Sequence, residues 1–267
     1  MAYIIQTTKN KTYKYIKSLQ QKKIRSSERL FTVEGIKSVS DAYESGKSIR
    51  MAVISESFFL SGERERFEGP ETVIVKDELF GGLCDTKTPQ GIIAVMEMFG
   101  PEELELSADK LYIYCDRVSD PGNIGTIIRT ADAAGFGGVM LSKGCAELYS
   151  PKTVRASMGS FFHIPVRTDM EPQELISLKE RGFKLYAGAL SKDSKPYTTA
   201  DMSAPSVIIV GNEANGVCDE ILEESEHIII PIYGRAESLN VGAAAAVLMY
   251  EAVRNRDERI NERCSDS

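Results

Sequence analysis

The chain has only two histidines, His163 and His227, too few for a histidine-rich metal site or a histidine proton relay. Its five cysteines, Cys84, Cys115, Cys145, Cys218 and Cys264, are odd in number, far apart and without a CxxC pair, which fits reduced thiols and argues against a disulfide framework. The longest apolar run, Val241 to Tyr250, is interrupted by Gly242 and falls well short of the roughly 18 residues a membrane span requires. The opening MAYIIQTTKNKTYKYIK lacks the uninterrupted apolar stretch and small-residue cleavage site of a secretory signal, so a soluble, cytoplasmic protein is expected. There is no GxGxxG fingerprint and no Walker-type GK[ST], which removes support for dinucleotide and nucleoside-triphosphate binding. No internal repeat or low-complexity tract is present.

What is there is ordinary in bulk and uneven in distribution. At about 150 residues per domain, 267 residues favour two modest domains. Hydrophobic residues make up 42% and charged residues 27%, values of a soluble globular chain. Residues 1–30 carry eight Lys/Arg (Lys9, Lys11, Lys14, Lys17, Lys22, Lys23, Arg25, Arg29) against Glu28 alone, a local net charge of +7 in a chain of overall −7. The remainder therefore carries −14, and a polyanion would be drawn to the N-terminal arm. Lysines 11, 14 and 17 stand at helical spacing, which also suits a plain solvated face, and Tyr13 and Tyr15 interleave with them.

Periodicity predicts helices over 8–20, 34–46, 56–67 and 77–84, and strands over 49–54, 72–75 and 91–97. This is an α/β domain of about 95 residues, assigned to 1–98. The acidic, Gly-Pro-bearing stretch 99–110 reads as a linker. Residues 111–267 keep alternating: strands at 111–115, 138–141, 164–166, 184–189, 207–211 and 227–230, with helices near 124–135, 151–158, 172–181, 216–225 and 239–256 and a polar, frayed tail over 261–267. Short Val/Ile-rich strands between helices predict a mainly parallel sheet covered on both faces.

Ligands of such sheets bind beyond the carboxyl ends of the strands. Three loops there stand out: Asp116-Arg-Val-Ser-Asp-Pro-Gly-Asn123-Ile-Gly-Thr-Ile-Ile-Arg129-Thr-Ala, Val210-Gly-Asn-Glu213-Ala-Asn-Gly216, and Ile230-Pro-Ile-Tyr-Gly-Arg-Ala-Glu-Ser238-Leu239-Asn240-Val. Taken singly, Asn123 and Ser238 also suit helix caps, Arg129 an exposed helix arginine and Glu213 a surface carboxylate. Three loops rich in Gly, Asn and Ser at one sheet edge make a ligand site the stronger reading.

These stretches resemble, nearly residue for residue, the three motifs of the SpoU-type (TrmH family) RNA 2′-O-ribose methyltransferases of the SPOUT superfamily, over about residues 108–257. Ser27–Lys37 and Thr88–Gly91 more loosely resemble that family's ribosomal-protein-like substrate-binding domain. The resemblance implies a C-terminal domain threaded into a deep trefoil knot that forms the S-adenosylmethionine pocket, lined by Gly211, Ile230 and Leu239. It implies a catalytic set of Asn123, Arg129, Glu213, Ser238 and Asn240, no metal, no membrane partner, and a homodimer built partly from the last helix, where Gly242–Ala246 permit close packing. The implied reaction is methylation of a ribose 2′-hydroxyl in structured RNA, with 23S ribosomal RNA favoured by the two-domain layout. Transfer RNA as target, and a knotted RNA-binding or ribosome-assembly protein without catalysis, are the alternatives.

Overall fold

The computed structural model describes residues 4–67, 69–99, 104–203 and 205–265, without the side chains of residues 64 and 258–265. The chain forms two compact units: Met1–Gly100 with Glu147–Phe162, and Pro101–Ala146 with His163–Ser267. Of the expected linker 99–110, residues 100–103 lie outside the described residues, as do residues 266–267 of the expected tail.

The first unit runs β1 (Ile4–Ile5), α1 (Lys11–Ser18), α2 (Lys22–Glu28), β2 (Leu30–Glu34), α3 (Ile36–Glu44), β3 (Ile49–Ser55), α4 (Glu56–Leu60), β4 (Glu71–Val75), α5 (Asp77–Phe80) and β5 (Ile92–Glu97). The sheet order is β1-β4-β3-β5-β2, with β5 antiparallel to both β3 and β2. Periodicity missed β1, α2 and β2. It also ran 56–67 and 77–84 as single helices, where each is a short α-helix continued by a 3-10 turn. Helix α1 starts where the Asn10 side chain accepts the N–H groups of Thr12 (2.8 Å) and Tyr13 (3.2 Å). It buries Tyr13 and Ile16 and leaves Lys11, Lys14 and Lys17 exposed.

The sequence alone assigns everything beyond residue 110 to one domain, whereas Glu147–Phe162, with α7 (Pro151–Ala156), groups with the first unit. The reason is what this segment supplies. Tyr149 and Phe161 close an aromatic cluster on the fully buried Phe31, with ring centroids 4.9 and 5.7 Å away. Glu147 meets Arg25, itself only 3% exposed, in a two-pronged ion pair with Nε–Oε1 2.9 Å and Nη2–Oε2 2.6 Å, while Arg25 Nη1 donates to the Leu19 carbonyl at 2.8 Å.

The second unit comprises β6 (Leu111–Asp116), α6 (Pro121–Ala133), β7 (Gly138–Ser142), β8 (Val166–Met170), α8 (Pro172–Ile176), β9 (Lys184–Gly188), β10 (Lys195–Pro196), β11 (Ser206–Gly211), α9 (Asp219–Glu223), β12 (Glu226–Ile229) and α10 (Val241–Ser265). Its seven strands are all parallel, in the order β10-β12-β9-β11-β6-β7-β8. Strands β6 and β7 are buried along their whole length, as a sheet covered on both faces requires. Periodicity missed β10, the helix expected over 172–181 is α8 continued by a 3-10 turn over Ser177–Arg181, and three further boundaries differ from expectation. The strand expected at 164–166 lies at Val166–Met170, the helix expected over 216–225 is only Asp219–Glu223 because residues up to Gly216 are used in a tight loop, and α10 continues through Ser265 where a frayed tail was expected.

Arg25→Ala should lower stability by about 3–5 kcal/mol, because it strands a largely buried carboxylate. An Arg25→Met, Glu147→Leu double variant should recover most of that loss; urea unfolding of the three proteins checks both outcomes.

Candidate active site

Strands β6, β11 and β12 run parallel in one sheet, so their carboxyl ends open on the same edge. The turn after β6 enters α6 through Asp120, whose side chain accepts the Asn123 N–H at 3.0 Å, with Pro121 at the first helical position. The cap is thus Asp120, and Asn123, one turn inside the helix, is free of that duty. Asp120-Pro121 is itself a helix-start signal that the sequence offered.

The loop after β11 folds back on itself. Asn212 N–H donates to the Gly216 carbonyl at 3.1 Å, and Gly216 N–H returns to the Asn212 carbonyl at 2.9 Å. The Asn212 side-chain oxygen gathers the N–H groups of Ala214 and Asn215 inside the turn. A Cβ on Gly211 would lie 2.2 Å from the Gly216 carbonyl carbon, so only glycine permits this return. The third segment, from Ile230 to Asn240, carries no regular structure and ends where Asn240 Oδ1 accepts the N–H groups of Gly242 (3.0 Å) and Ala243 (3.3 Å). Asn240 rather than Ser238 therefore caps α10.

These elements bring three of the predicted residues into one hydrogen-bonded chain. Glu213 Oε1 accepts Asn123 Nδ2 at 2.9 Å, and Asn123 Oδ1 accepts Asn240 Nδ2 at 2.9 Å. Both ends dictate the same polarity. Glu213 only accepts when ionised, and Asn240 has its oxygen committed to α10, so its amide nitrogen must face Asn123. Each amide nitrogen retains a second N–H. Ser119, which sequence reasoning quoted without a role, donates its backbone N–H (3.4 Å) and hydroxyl (3.3 Å) to Glu213 Oε2. Partial burial alone would raise the Glu213 pKa. The hydrogen bonds from Asn123, from its own N–H and from the Ser119 and Asp120 backbone outweigh that and hold it below its ordinary 4.5.

The other predicted residues do not join this chain within one subunit. Arg129 is exposed and, among the described residues, makes no hydrogen bond or ion pair. Six residues along α6 place it about 9 Å from Asn123 along the axis and about 120° around it. Ser238 is exposed, Leu239 is 39% exposed and Ile230 is half-buried. Leu239 and Ile230 follow β12 and present apolar surface, while the Cβ position of Gly211 is filled by the returning Gly216–Val217 backbone. Apolar side chains and main-chain groups of this kind fit an adenine ring and a sulfonium.

Residues 110–250 match the SpoU rRNA Methylase family, and residues 10–94 match an MRM3-like substrate binding domain. The chain is 38% identical over 247 residues, 92% of its length and 97% of the relative's, to the 23S rRNA (guanosine(2553)-2′-O)-methyltransferase RlmP of Bacillus subtilis. The chain belongs to the SpoU rRNA methylase family. Among solved structures it resembles the AdoMet-bound rRNA methyltransferase from Sinorhizobium meliloti, with TM-score 0.84 and 33% identity, covering 95% of this chain and 98% of that one. The SpoU methyltransferase AviRb from Streptomyces viridochromogenes, in complex with AdoMet, gives TM-score 0.84 at 29% identity, with 94% and 98% covered. The expected α/β SPOUT fold, methyltransferase activity and S-adenosylmethionine cofactor therefore hold for this SpoU-family chain.

Because the Glu213 pKa is depressed by folding, the bonds it accepts are fully present above its ordinary 4.5 and are lost as pH falls through the lower folded-state value. On acid titration the side-chain amide signal of Asn123 should shift in that range, and the same signal in Glu213→Gln should stay flat.

Proposed function

We propose that this enzyme methylates a ribose 2′-hydroxyl of ribosomal RNA, with 23S RNA as its target. The observation that carries the reading is the Glu213–Asn123–Asn240 chain, which fixes two amide donors at the sheet edge. Bound S-adenosylmethionine supplies an electrophilic methyl carbon on a positively charged sulfur. Gly211, Ile230 and Leu239 would hold that group through backbone and apolar contacts.

A 2′-hydroxyl is a very weak acid and sheds its proton as the new C–O bond forms, so the chain must hold it in line and favour the alkoxide. The spare N–H groups of Asn123 and Asn240 orient the ribose, and Glu213 keeps both amides aimed. Arg129 grips the neighbouring phosphate and stabilises the developing alkoxide, and Ser238 contacts that phosphate or the arginine. A guanidinium, with a pKa above about 12, stays protonated, so the proton passes to a phosphate oxygen or water.

Residues 1–98, completed by Glu147–Phe162, form the RNA-binding domain, 99–110 the linker and the rest of 111–267 the knotted methyltransferase domain. The exposed Lys11, Lys14 and Lys17 on α1 supply the charge that a phosphate backbone seeks. The enzyme acts in the cytoplasm, where ribosomal RNA is assembled.

It works as a two-fold homodimer. Of the small residues expected at that interface, Gly242 and Ala245 are used inside the subunit: Gly242 is buried, with the Thr126 methyl 3.3 Å from where its Cβ would be, and Ala245 is fully buried. Ala243, Val247 and Tyr250 form the remaining stripe, exposed at helical spacing on α10. A pairing over α10 and α6 accounts for an arginine that, among the described residues, has no hydrogen-bond or ion-pair partner in its own subunit.

Labelled methyl transfer to ribosomal RNA followed by alkaline hydrolysis should leave one linkage uncleaved, since a 2′-O-methyl blocks strand scission. In single-turnover assays Arg129→Ala should fall by far more than tenfold; a smaller loss, under about 1.4 kcal/mol of barrier, removes the arginine from the mechanism. Val247→Glu should sediment as a monomer and lose methyl transfer, whereas a wild-type monomer in sedimentation would refute the dimer.

A further inference from the structure

Asp116 ends β6 with its carboxylate buried, 2% exposed, and four donors converge on it. Arg117 contributes Nε to Oδ1 at 3.0 Å and Nη2 to Oδ2 at 2.8 Å. Cys218 contributes its backbone N–H to Oδ2 at 2.8 Å, and Ser142 its hydroxyl to Oδ1 at 3.4 Å. The backbone of Arg117 is equally engaged. Its N–H donates to Ser142 Oγ at 2.8 Å, and its carbonyl accepts Asn212 Nδ2 at 2.8 Å. Nη2 also reaches the Gly216 carbonyl at 3.4 Å. One residue thus holds the start and the end of the loop that carries Glu213.

Arg117 does this at φ +53, in the left-handed region that Gly and Asn occupy readily and an arginine does not. Backbone strain of this kind persists where surrounding contacts enforce it and gathers at functional sites. Neither Gly nor Asn could supply the two-pronged contact with Asp116, so the strained arginine provides something the turn alone does not need.

We propose that Arg117 is a positioning residue for methyl transfer, its guanidinium locked on Asp116 so that the Asn212–Gly216 loop presents Glu213 to Asn123. This rests on the reading of Glu213, Asn123 and Asn240 as the ribose-orienting chain. Sub-ångström errors there are costly, because in-line attack tolerates little displacement.

Arg117→Asn keeps the left-handed turn and removes the guanidinium. At saturating S-adenosylmethionine and ribosomal RNA, its single-turnover methyl-transfer rate should fall ten- to hundredfold, with RNA affinity within threefold of wild type. Arg117→Lys, which keeps the charge without the fork, should recover part of the rate. Asp116→Asn combined with Arg117→Asn leaves no uncompensated buried charge and should show the same loss in a fully folded protein. The deciding measurement is the double variant Arg117→Asn, Glu213→Gln. If Arg117 acts through Glu213, the double variant falls no further than Glu213→Gln alone; losses that multiply overturn the proposal. A wild-type rate in Arg117→Asn beside an impaired Glu213→Gln overturns the positioning role alone. A wild-type rate in Glu213→Gln overturns the ribose-site reading itself.

Discussion

The site depends on the direction in which one amide points. Asparagine presents a donor and an acceptor at nearly the same place, and in water neither orientation is preferred. Here a carboxylate at one end and a helix start at the other leave Asn123 and Asn240 a single consistent arrangement. Two N–H donors are thereby aimed without any group that must lose or gain a proton near neutral pH. Such a fixed dipolar surface suits a reaction that must develop negative charge on the oxygen of a weakly acidic hydroxyl.

That arrangement is possible because the sheet is wholly parallel. Antiparallel neighbours would send alternate loops to opposite edges, and β6, β11 and β12 would not share one. The loop after β11 has the tightest geometry, since it returns so closely that Gly211 admits no side chain. The first unit obeys different rules. Its sheet is mixed, three of its exposed lysines line the outer face of α1, and its core is completed by aromatic rings that come from much later in the chain.

Much of this was readable from residues alone, for physical reasons. Strands such as Ile49–Ser55 and Ser206–Gly211 are short β-branched runs bounded by turn residues, and the three loops carry chemistry in their order and spacing. Leu30–Glu34 escaped because it sits directly between two helices with no turn residue before it and no clean alternation. Ile4–Ile5 is too short to carry a period. The duties of Asn123 and Ser238 were open because capping depends on which of several nearby polar residues reaches the free N–H groups. Asp120 and Asn240 do so, three residues before Asn123 and two after Ser238. The separation of Arg129 from Asn123 could have been computed from helical geometry, since positions six apart do not share a face.

The assignment of Glu147–Phe162 lay beyond any local pattern, because it follows from which distant groups it satisfies. It carries a consequence for biosynthesis. When the ribosome has made the first hundred residues, Arg25 lacks the carboxylate it pairs with and Phe31 has Phe99 but not Tyr149 or Phe161, which are joined some fifty to sixty peptide bonds later. The amino-terminal unit therefore lacks part of its core as a nascent fragment. It is completed only once the first strands of its neighbour's sheet have been made, so the two units are interleaved in the order of their synthesis.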